Sequence, residues 1–181
     1  MFEWLHLKQV KHEGVRLAGV QFPDSVAEHS CNAAQIWFIL AHMEWADPYK
    51  VASMLIWHDL AETRIGDFHK VGARYIPNKK DIEKQVMKDQ LEWIACGSDI
   101  QNLFDEYEER TTIEGKVAKD ADYLEMAFQA KIYVEQGHVV AQDRIDNVGR
   151  ALKTQWAKEI REEMIKSNAS DWWKKTGLKK L

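Results

Sequence analysis

The chain has 181 residues, 45% of them hydrophobic and 30% charged, with a formal net charge of −4 at pH 7. This length and composition are typical of one soluble globular domain that can bury its own core. No long basic run is present, which argues against a nucleic-acid partner. No apolar stretch approaches the length of a membrane span, which argues against a membrane partner.

The predicted elements of the first half are helices separated by short irregular segments. In chain order they are a short amphipathic helix at 3–11, a loop at 12–24, a helix from Ser25 to about Glu44, a helix from Pro48 to about Glu62 and an irregular segment at 67–80. Ser25 and Glu28 have the spacing of a capping box, which predicts a helix start. Asp47 followed by Pro48 is typical of an N-cap and a first helical position.

The second half continues in the same way. Its predicted elements are a helix from Asp81 to Cys96, a break at Gly97-Ser98, a short acidic helix at 99–110, a long helix from Thr111 to about Glu135, and a final helix from about Gln142 to Ile165. Thr111 and Glu114 form a second capping-box candidate. Apolar residues recur at helical spacing and no segment alternates as a strand does. The predicted fold class is therefore all-α.

The cysteines and the N-terminus bear on the compartment. Cys31 and Cys96 stand outside any CxxC pair, so the sequence does not support a zinc knuckle or a dithiol redox motif. The N-terminal segment MFEWLHLKQVKHEG lacks the apolar core and cleavage site of a signal peptide. We therefore expect a cytoplasmic protein.

Ionisable residues concentrate in the segment WHDLAETRIGD, at the end of an apolar predicted helix. His58 and Glu62 are four residues apart and share a helix face, which Asp59 flanks. Buried ionisable groups need partners, and a divalent metal ion with imidazole and carboxylate ligands satisfies several at once. Taken alone, the segment is equally compatible with a hydrogen-bonded core histidine and a capping aspartate.

Two further residues favour the metal site. His29 falls in the first turn of one predicted helix, and Asp122 lies inside another whose opposite face is apolar. Each has an ordinary alternative, namely a solvated histidine and an aspartate paired with Lys119 at i and i+3. Three such features on three separate predicted helices favour one shared metal site over three unrelated explanations.

The combination resembles the HD superfamily of metal-dependent phosphohydrolases, whose pattern is H…HD…D. PDSVAEHS at 23–30 is similar to the family segment PESVAEHS, HDLAE followed by GD at 58–67 is similar to HD-x-x-E-x-x-x-GD, and KDAD at 119–122 is similar to K-x-x-D. These motifs point to the 5′-deoxynucleotidase branch over roughly residues 4–140. The resemblance implies a helical bundle forming a single domain over 1–181, with C-terminal helices at 142–175 packing on the motif region.

The resemblance also implies a role for each motif residue. The ligands of one divalent metal ion would be His29, His58, Asp59 and Asp122. Glu62 would position or activate the attacking water, and Asp67 would contact the sugar near the 3′-hydroxyl. The sequence leaves the identity of the metal open among Mn, Co, Fe, Ni, Zn and Mg.

The loop before the first predicted ligand departs from the family pattern PR-x-GW-x-x-R. His12, Val15 and Ala18 stand where the family has its first Arg, its Trp and its second Arg. In the family these residues help to grip the phosphate and to exclude a ribose 2′-hydroxyl, so the departure concerns the substrate more than the metal. Arg16 is a candidate for a displaced guanidinium that binds the phosphate.

The expected function is removal of phosphate from nucleoside 5′-monophosphates, foremost deoxynucleotides, by a homodimer. A triphosphohydrolase acting on nucleoside triphosphates, or an enzyme for another small phosphate ester, is the first alternative. The second alternative is a non-catalytic metal-binding or dimerisation module. Glu62 and Asp67 favour an enzyme, because metal binding alone does not require them.

Overall fold

The structure, a computed structural model, describes residues 1–174. Over this range it is built from α-helices, with an isolated antiparallel bridge between Lys11 and Ser25 and no β-strand. The helices are α1 (Phe2–Leu5), α2 (Glu13–Arg16), α3 (Val26–Met43), α4 (Pro48–Trp57), α5 (Glu62–Ile65), α6 (Lys70–Ala73), α7 (Lys79–Leu91), α8 (Gly97–Glu109), α9 (Ile113–Glu135), α10 (Gln142–Ala151), α11 (Gln155–Lys166) and α12 (Asp171–Lys174). The predicted all-α class is confirmed.

The core lies between three long helices. α3 packs against both α4 and α9, and α10 and α11 pack on α9. The side chains of Trp37, Leu55 and Leu124 are fully buried where α3, α4 and α9 meet. A smaller cluster around Met87 and Phe104 joins α7 and α8 to the turn after α4. The elements predicted to carry the metal ligands are therefore at the centre of the fold.

The predicted helix starts at Ser25 and Asp47 are confirmed. The Ser25 hydroxyl accepts a hydrogen bond from the Glu28 amide at 3.2 Å, and the Glu28 carboxylate accepts one from the Ser25 amide at 2.6 Å. Asp47 accepts from the amides of Tyr49 and Lys50. The Ser25 capping box fixes the first turn of α3, which contains His29.

The helix predicted from Pro48 to about Glu62 is wrong over its last five residues. α4 ends at Trp57, and the backbone then tightens into i to i+3 hydrogen bonds from the Leu60 amide to the Trp57 carbonyl and from the Glu62 amide to the Asp59 carbonyl. The continuous helix face assumed for His58 and Glu62 does not exist. Their positions are set by this tighter turn.

The single final helix predicted at 142–165 is also wrong, because the chain breaks between α10 and α11. The buried carboxylate of Asp120, on α9, accepts hydrogen bonds from the Lys153 amide at 3.1 and 2.9 Å and from the Thr154 amide at 2.6 Å. A side chain thus takes backbone donors that a continuous helix would pair internally. A contact distant in sequence overrides the local apolar periodicity.

Several shorter predictions need correction at their boundaries. The segment predicted as a helix at 3–11 forms α1 and a 3₁₀ turn at His6–Lys8. The segments predicted to be irregular, 12–24 and 67–80, contain the short helices α2 and α6. The helices predicted at 81–96 and 99–110 correspond to α7 and α8. Thr112, rather than Thr111, caps α9 by accepting from the Gly115 amide at 3.0 Å. Gly97 does not separate two helices but begins α8, where a Cβ would lie 2.4 Å from the Leu91 carbonyl oxygen.

None of the helices within 1–174 combines the length and apolar character needed to cross a bilayer. Residues 175–181, the end of the predicted domain, lie outside the described range.

Candidate metal centre

Four polar side chains meet at one point among α3, α9 and the turn after α4. His29 Nε2 lies 3.3 Å from His58 Nε2 and 3.3 Å from Asp122 Oδ1. Asp59 Oδ2 lies 2.9 Å from His58 Nε2 and 3.9 Å from His29 Nε2. Ligand atoms bound to one divalent ion at about 2.0–2.2 Å are separated by distances in this range. The donor set, two imidazole nitrogens and two carboxylate oxygens, therefore fits a single transition-metal ion.

Each histidine is oriented by its second ring nitrogen. His29 Nδ1 is hydrogen-bonded to the buried carboxylate of Glu125, on α9. His58 Nδ1 donates to the Leu55 carbonyl oxygen at 2.8 Å. In both rings the Nδ1–H is committed to a partner, which leaves the Nε2 lone pair directed at the common point. This is the arrangement that holds histidine ligands to metals in proteins.

Asp122 divides its two oxygens between the protein and the centre. Its Oδ2 accepts hydrogen bonds from Tyr107 Oη and Lys119 Nζ, both at 2.7 Å, while Oδ1 faces His29. The pairing with Lys119, which the sequence offered as an alternative to metal binding, is present together with the inward-facing oxygen. One carboxylate makes both interactions because they use different oxygen atoms.

The charges at the centre favour a cation. Burial opposes ionisation of Asp59, yet the adjacent His58 holds its pKa at about 2. Burial likewise opposes ionisation of Asp122, and Lys119 and His29 hold its pKa well below the ordinary value. Burial works against a charged His29, but Asp122 and Glu125 raise its pKa well above 6.5. The carboxylates that favour a proton on His29 favour a metal ion at the same point, so the two compete for the site.

Glu62 lies beside the centre, and its pKa is shifted upwards, in the opposite direction to the pKa values of Asp59 and Asp122. Its side chain is buried, and Oε2 has no hydrogen-bond partner within residues 1–174. Burial and the neighbouring charges of Asp59 and Asp67 raise the pKa of Glu62 well above 4.5. Glu62, His58 and Asp59 line a cleft of about 220 Å³. An acid with a raised pKa beside a candidate metal site is suited to exchange protons with water.

The two predicted substrate contacts have different surroundings. Asp67 Oδ2 accepts from the Glu13 amide at 2.8 Å, and Asp67 lines a second pocket of about 460 Å³ together with Val15 and Ala18. Arg16 pairs with Glu13 at 3.1 Å, and its side chain is 47% exposed. The structure thus brings Asp67 to a pocket and leaves Arg16 at the surface.

Comparison with known protein families agrees with this geometry, since residues 5–164 match the HD domain. The chain belongs to the HD-domain family.

Two relatives of this HD domain cover most of the chain. The 5′-deoxynucleotidase HDDC2 of Dictyostelium discoideum is 31% identical over 141 residues, which span 73% of this chain and 74% of that protein. The 5′-deoxynucleotidase HDDC2 of Danio rerio is 28% identical over 131 residues, spanning 71% of this chain and 65% of that protein.

Solved structures share the HD-domain fold. A conserved hypothetical protein from Pyrococcus furiosus superposes with a TM-score of 0.76 at 28% identity, covering 92% of this chain and 97% of that one. The HD phosphohydrolase DatZ of cyanophage S-2L, described as bound to dA and one catalytic Zn²⁺ ion, gives a TM-score of 0.57 at 16% identity, covering 97% of each chain. At that identity the second likeness concerns the fold alone.

Three residues around the HD-domain centre were not assigned roles from the sequence. Tyr107 reaches Asp122 from α8, a contact with no local sequence signal. Glu125 lies one helical turn after Asp122, and a second acid at that spacing in an apolar helix is the signal that could have identified it. His12 is buried, with Nδ1 3.0 Å from Asp24 Oδ2 and its ring 4.8 Å from the His29 ring. One nitrogen of His12 lies within 4.8 Å of ligand atoms of His29 and Asp59, so His12 is a further donor at the edge of the centre.

Glu125→Gln is expected to lower metal affinity by about 10–100-fold, the usual cost of losing a partner that orients a metal-bound histidine. The substitution keeps the shape of the side chain but removes the negative charge facing His29 Nδ1. Titration with Mn²⁺ or Zn²⁺ against a competing chelator measures the change. Glu135→Gln, at an exposed position of the same helix, is the matched control. Equal affinity in the two variants would contradict the orienting role of Glu125.

Proposed function

We propose that this HD domain is a metal-dependent phosphohydrolase that removes phosphate from nucleoside 5′-monophosphates, foremost deoxynucleotides. The convergence of two imidazole nitrogens and two carboxylate oxygens beside a buried acid is the observation that carries the proposal. The relatives named 5′-deoxynucleotidase, which align over about three quarters of the chain, support the same substrate class.

In this proposal the ion is held by His29, His58, Asp59 and Asp122. When bound, a divalent ion polarises the phosphoryl group and lowers the pKa of water. Glu62 Oε2 takes a proton from the attacking water as the new phosphorus–oxygen bond forms. The same carboxyl returns the proton to the 5′-oxygen as the old bond to phosphorus breaks. The raised pKa of Glu62 makes its carboxylate a stronger base toward water than an ordinary glutamate.

Asp67 is the proposed sugar contact. One oxygen of its carboxylate is fixed by the Glu13 amide, which leaves the other free to accept a hydrogen bond from the 3′-hydroxyl. The adjoining pocket of about 460 Å³ is within the usual range for small-molecule sites. Arg16 stays a prediction for the phosphate, and Lys79, which lines the Glu62 cleft, offers a cation closer to the centre.

Metal-reconstituted turnover across a substrate panel tests the proposal. The full chain is stripped with a chelator and reloaded with one divalent ion at a time. It is then supplied with deoxynucleoside and ribonucleoside monophosphates, the triphosphates and a simple phosphate ester. We expect inorganic phosphate from the deoxynucleoside monophosphates and none from chelated protein. Release of triphosphate would establish the triphosphohydrolase alternative, and metal binding without turnover would establish a non-catalytic module.

We propose a homodimer as the working assembly. An apolar groove of about 730 Å³ runs between α9, α11 and α12, with Phe128, Trp156 and Trp172 among its lining residues. Aromatic residues of this kind are enriched at protein interfaces. Light scattering at micromolar concentration is expected to give twice the chain mass, and Trp156→Glu to reduce it. A wild-type monomer mass would reject the assembly.

The cytoplasmic location and the absence of nucleic-acid and membrane partners stay predictions from the sequence.

Discrimination between the two sugars is expected to be weaker here than in enzymes with a tryptophan at the position of Val15. Val15 lines the pocket that contains Asp67, and its smaller side chain leaves room beside the sugar C2′. Filling that space excludes one hydroxyl group by only about 1–3 kcal/mol. The ratio of kcat/KM values for the deoxy and ribo forms of one nucleotide is expected to rise in Val15→Trp. Thermal melting checks that the variant folds. A strong deoxy preference in the wild type that Val15→Trp leaves unchanged would locate the selectivity elsewhere.

A further inference from the structure

We infer that the pocket of about 460 Å³ between α2, α9 and α10 binds the nucleobase, and that Arg144 in this pocket selects guanine over adenine. The inference rests on the proposed nucleotidase function and specifies its substrate. Val15, Tyr123 and Met126 give the pocket apolar walls, and Asp67 and Arg144 are among its polar groups. Mostly apolar walls with a few placed polar groups are characteristic of ligand sites.

The surroundings of Arg144 are those of a side chain that binds a ligand, rather than those of a side chain in a structural ion pair. It belongs to α10, is half-buried, and reaches the backbone of α2, where a Cβ at Gly14 would lie 2.7 Å from its Nη2. Within the described part of the chain the guanidinium makes no hydrogen bond or ion pair. A guanidinium carries five donors, and leaving them partly desolvated without acceptors costs free energy. A ligand with two neighbouring acceptor atoms would remove that cost.

The order of groups along the site assigns Arg144 to the base. His58 and Asp59 line the cleft at the metal centre, whereas Arg144 lines a separate pocket that it shares with Asp67. Asp67 is itself hydrogen-bonded to the amide of Glu13, the residue before Gly14. With the phosphate at the metal and the 3′-hydroxyl at Asp67, the part of the nucleotide that extends past the sugar is the base.

The chemistry of a guanidinium then separates the two purines. Guanine presents N7 and O6 side by side as acceptors, and arginine donates to both at once. Adenine presents an acceptor at N7 beside a donor at N6, which glutamine matches and arginine does not. Because the purines have similar size and stacking surface, comparing them isolates this hydrogen-bond pattern.

The test compares kcat/KM for dGMP and dAMP in metal-loaded wild type, Arg144→Gln and Arg144→Met. We expect the wild type to favour dGMP by about 5- to 150-fold, the range of a bidentate base contact. Arg144→Gln should reverse the preference, and Arg144→Met should remove it, mainly through KM. Arg150→Gln, at an exposed arginine of the same helix that does not line this pocket, is the matched control and should retain the wild-type ratio.

A second measurement separates the base from the phosphate. Calorimetric titration of metal-stripped protein with deoxyguanosine and deoxyadenosine, which carry no phosphate, should show tighter binding of deoxyguanosine that Arg144→Met abolishes. Equal weakening of dGMP and dAMP with unchanged nucleoside binding would place Arg144 at the phosphate and overturn the inference. A wild type without purine preference would overturn it as well. If no monophosphate is hydrolysed, the proposed function fails, and the nucleoside titration still decides the base site.

Discussion

Asp59→Ala is expected to abolish turnover, lowering kcat/KM by at least about 10³-fold, and to strip the metal at micromolar concentrations of free ion. The removed oxygen lies 2.9 Å from His58 Nε2, at the point where all four proposed ligands meet. The carboxylate is ionised throughout the neutral range, because His58 holds its pKa at about 2 despite burial. Loss of bound metal removes several kcal/mol of charge stabilisation, which corresponds to the stated change in rate.

The measurement pairs metal content by mass spectrometry with phosphate release from deoxynucleoside monophosphates. Asp99→Ala, at an exposed position in the first turn of α8, controls for the loss of one negative charge. That variant should keep one metal ion per chain and full activity. Retention of both properties by Asp59→Ala would show that the centre is not the active site.

Glu62→Gln is expected to keep the metal and to lose about 10²–10⁴-fold in kcat, the usual contribution of a positioned acid-base group. The amide preserves the shape of the side chain but cannot take a proton from water. Glu109→Gln, an exposed glutamate of α8, serves as the control. Loss of metal in Glu62→Gln would instead make Glu62 a ligand.

The same substitution should stabilise the metal-free protein at neutral pH. Burial and the charges of Asp59 and Asp67 raise the pKa of Glu62 in the folded state above 4.5, its value in an unfolded chain. The folded wild type therefore has full stability from this group below 4.5, and loses it as the pH rises through the folded-state pKa. Glutamine does not ionise, so the variant avoids this loss. Its melting temperature should exceed that of the wild type at pH 7 and converge with it near pH 4. A lower melting temperature at pH 7 would contradict the unfavourable ionisation of Glu62 in the folded state.

The site was predictable where local rules and motif spacing agree. The Ser25 capping box places His29 in the first turn of α3, and the similarity of KDAD at 119–122 to K-x-x-D singles out Asp122, which is buried on α9. The sequence did not predict Tyr107, because its contact with Asp122 joins two helices through tertiary packing. Nor did it predict that the Arg144 guanidinium has no hydrogen-bond or ion-pair partner among residues 1–174. Arg16, chosen for its closeness to the motif, instead pairs with Glu13 at the surface.

In the fold, too, features set by local sequence were predictable and features set by tertiary contacts were not. Helix type and most helix starts come from local patterns, so these predictions hold. The two breaks that the sequence missed, after Trp57 and before Gln155, interrupt apolar periodicity that would continue a helix. The second is maintained by Asp120, thirty-three residues from the Lys153 amide that it accepts from. No pattern within a helical window contains such information.

Asp120 and Asp122, separated by one alanine, illustrate two ways in which a substitution can make an enzyme appear inactive. Asp122 faces the metal centre, and its replacement by asparagine would damage the chemistry while keeping an acceptor for Tyr107 and Lys119. Asp120 faces the opposite side of α9 and joins it to the C-terminal helices. Its loss would leave the Lys153 amide and the buried Thr154 amide unpaired and reduce the amount of folded protein. A survey of variants by cellular activity alone would score the two positions alike. Measuring abundance alongside specific activity would separate a failure of catalysis from a failure of folding.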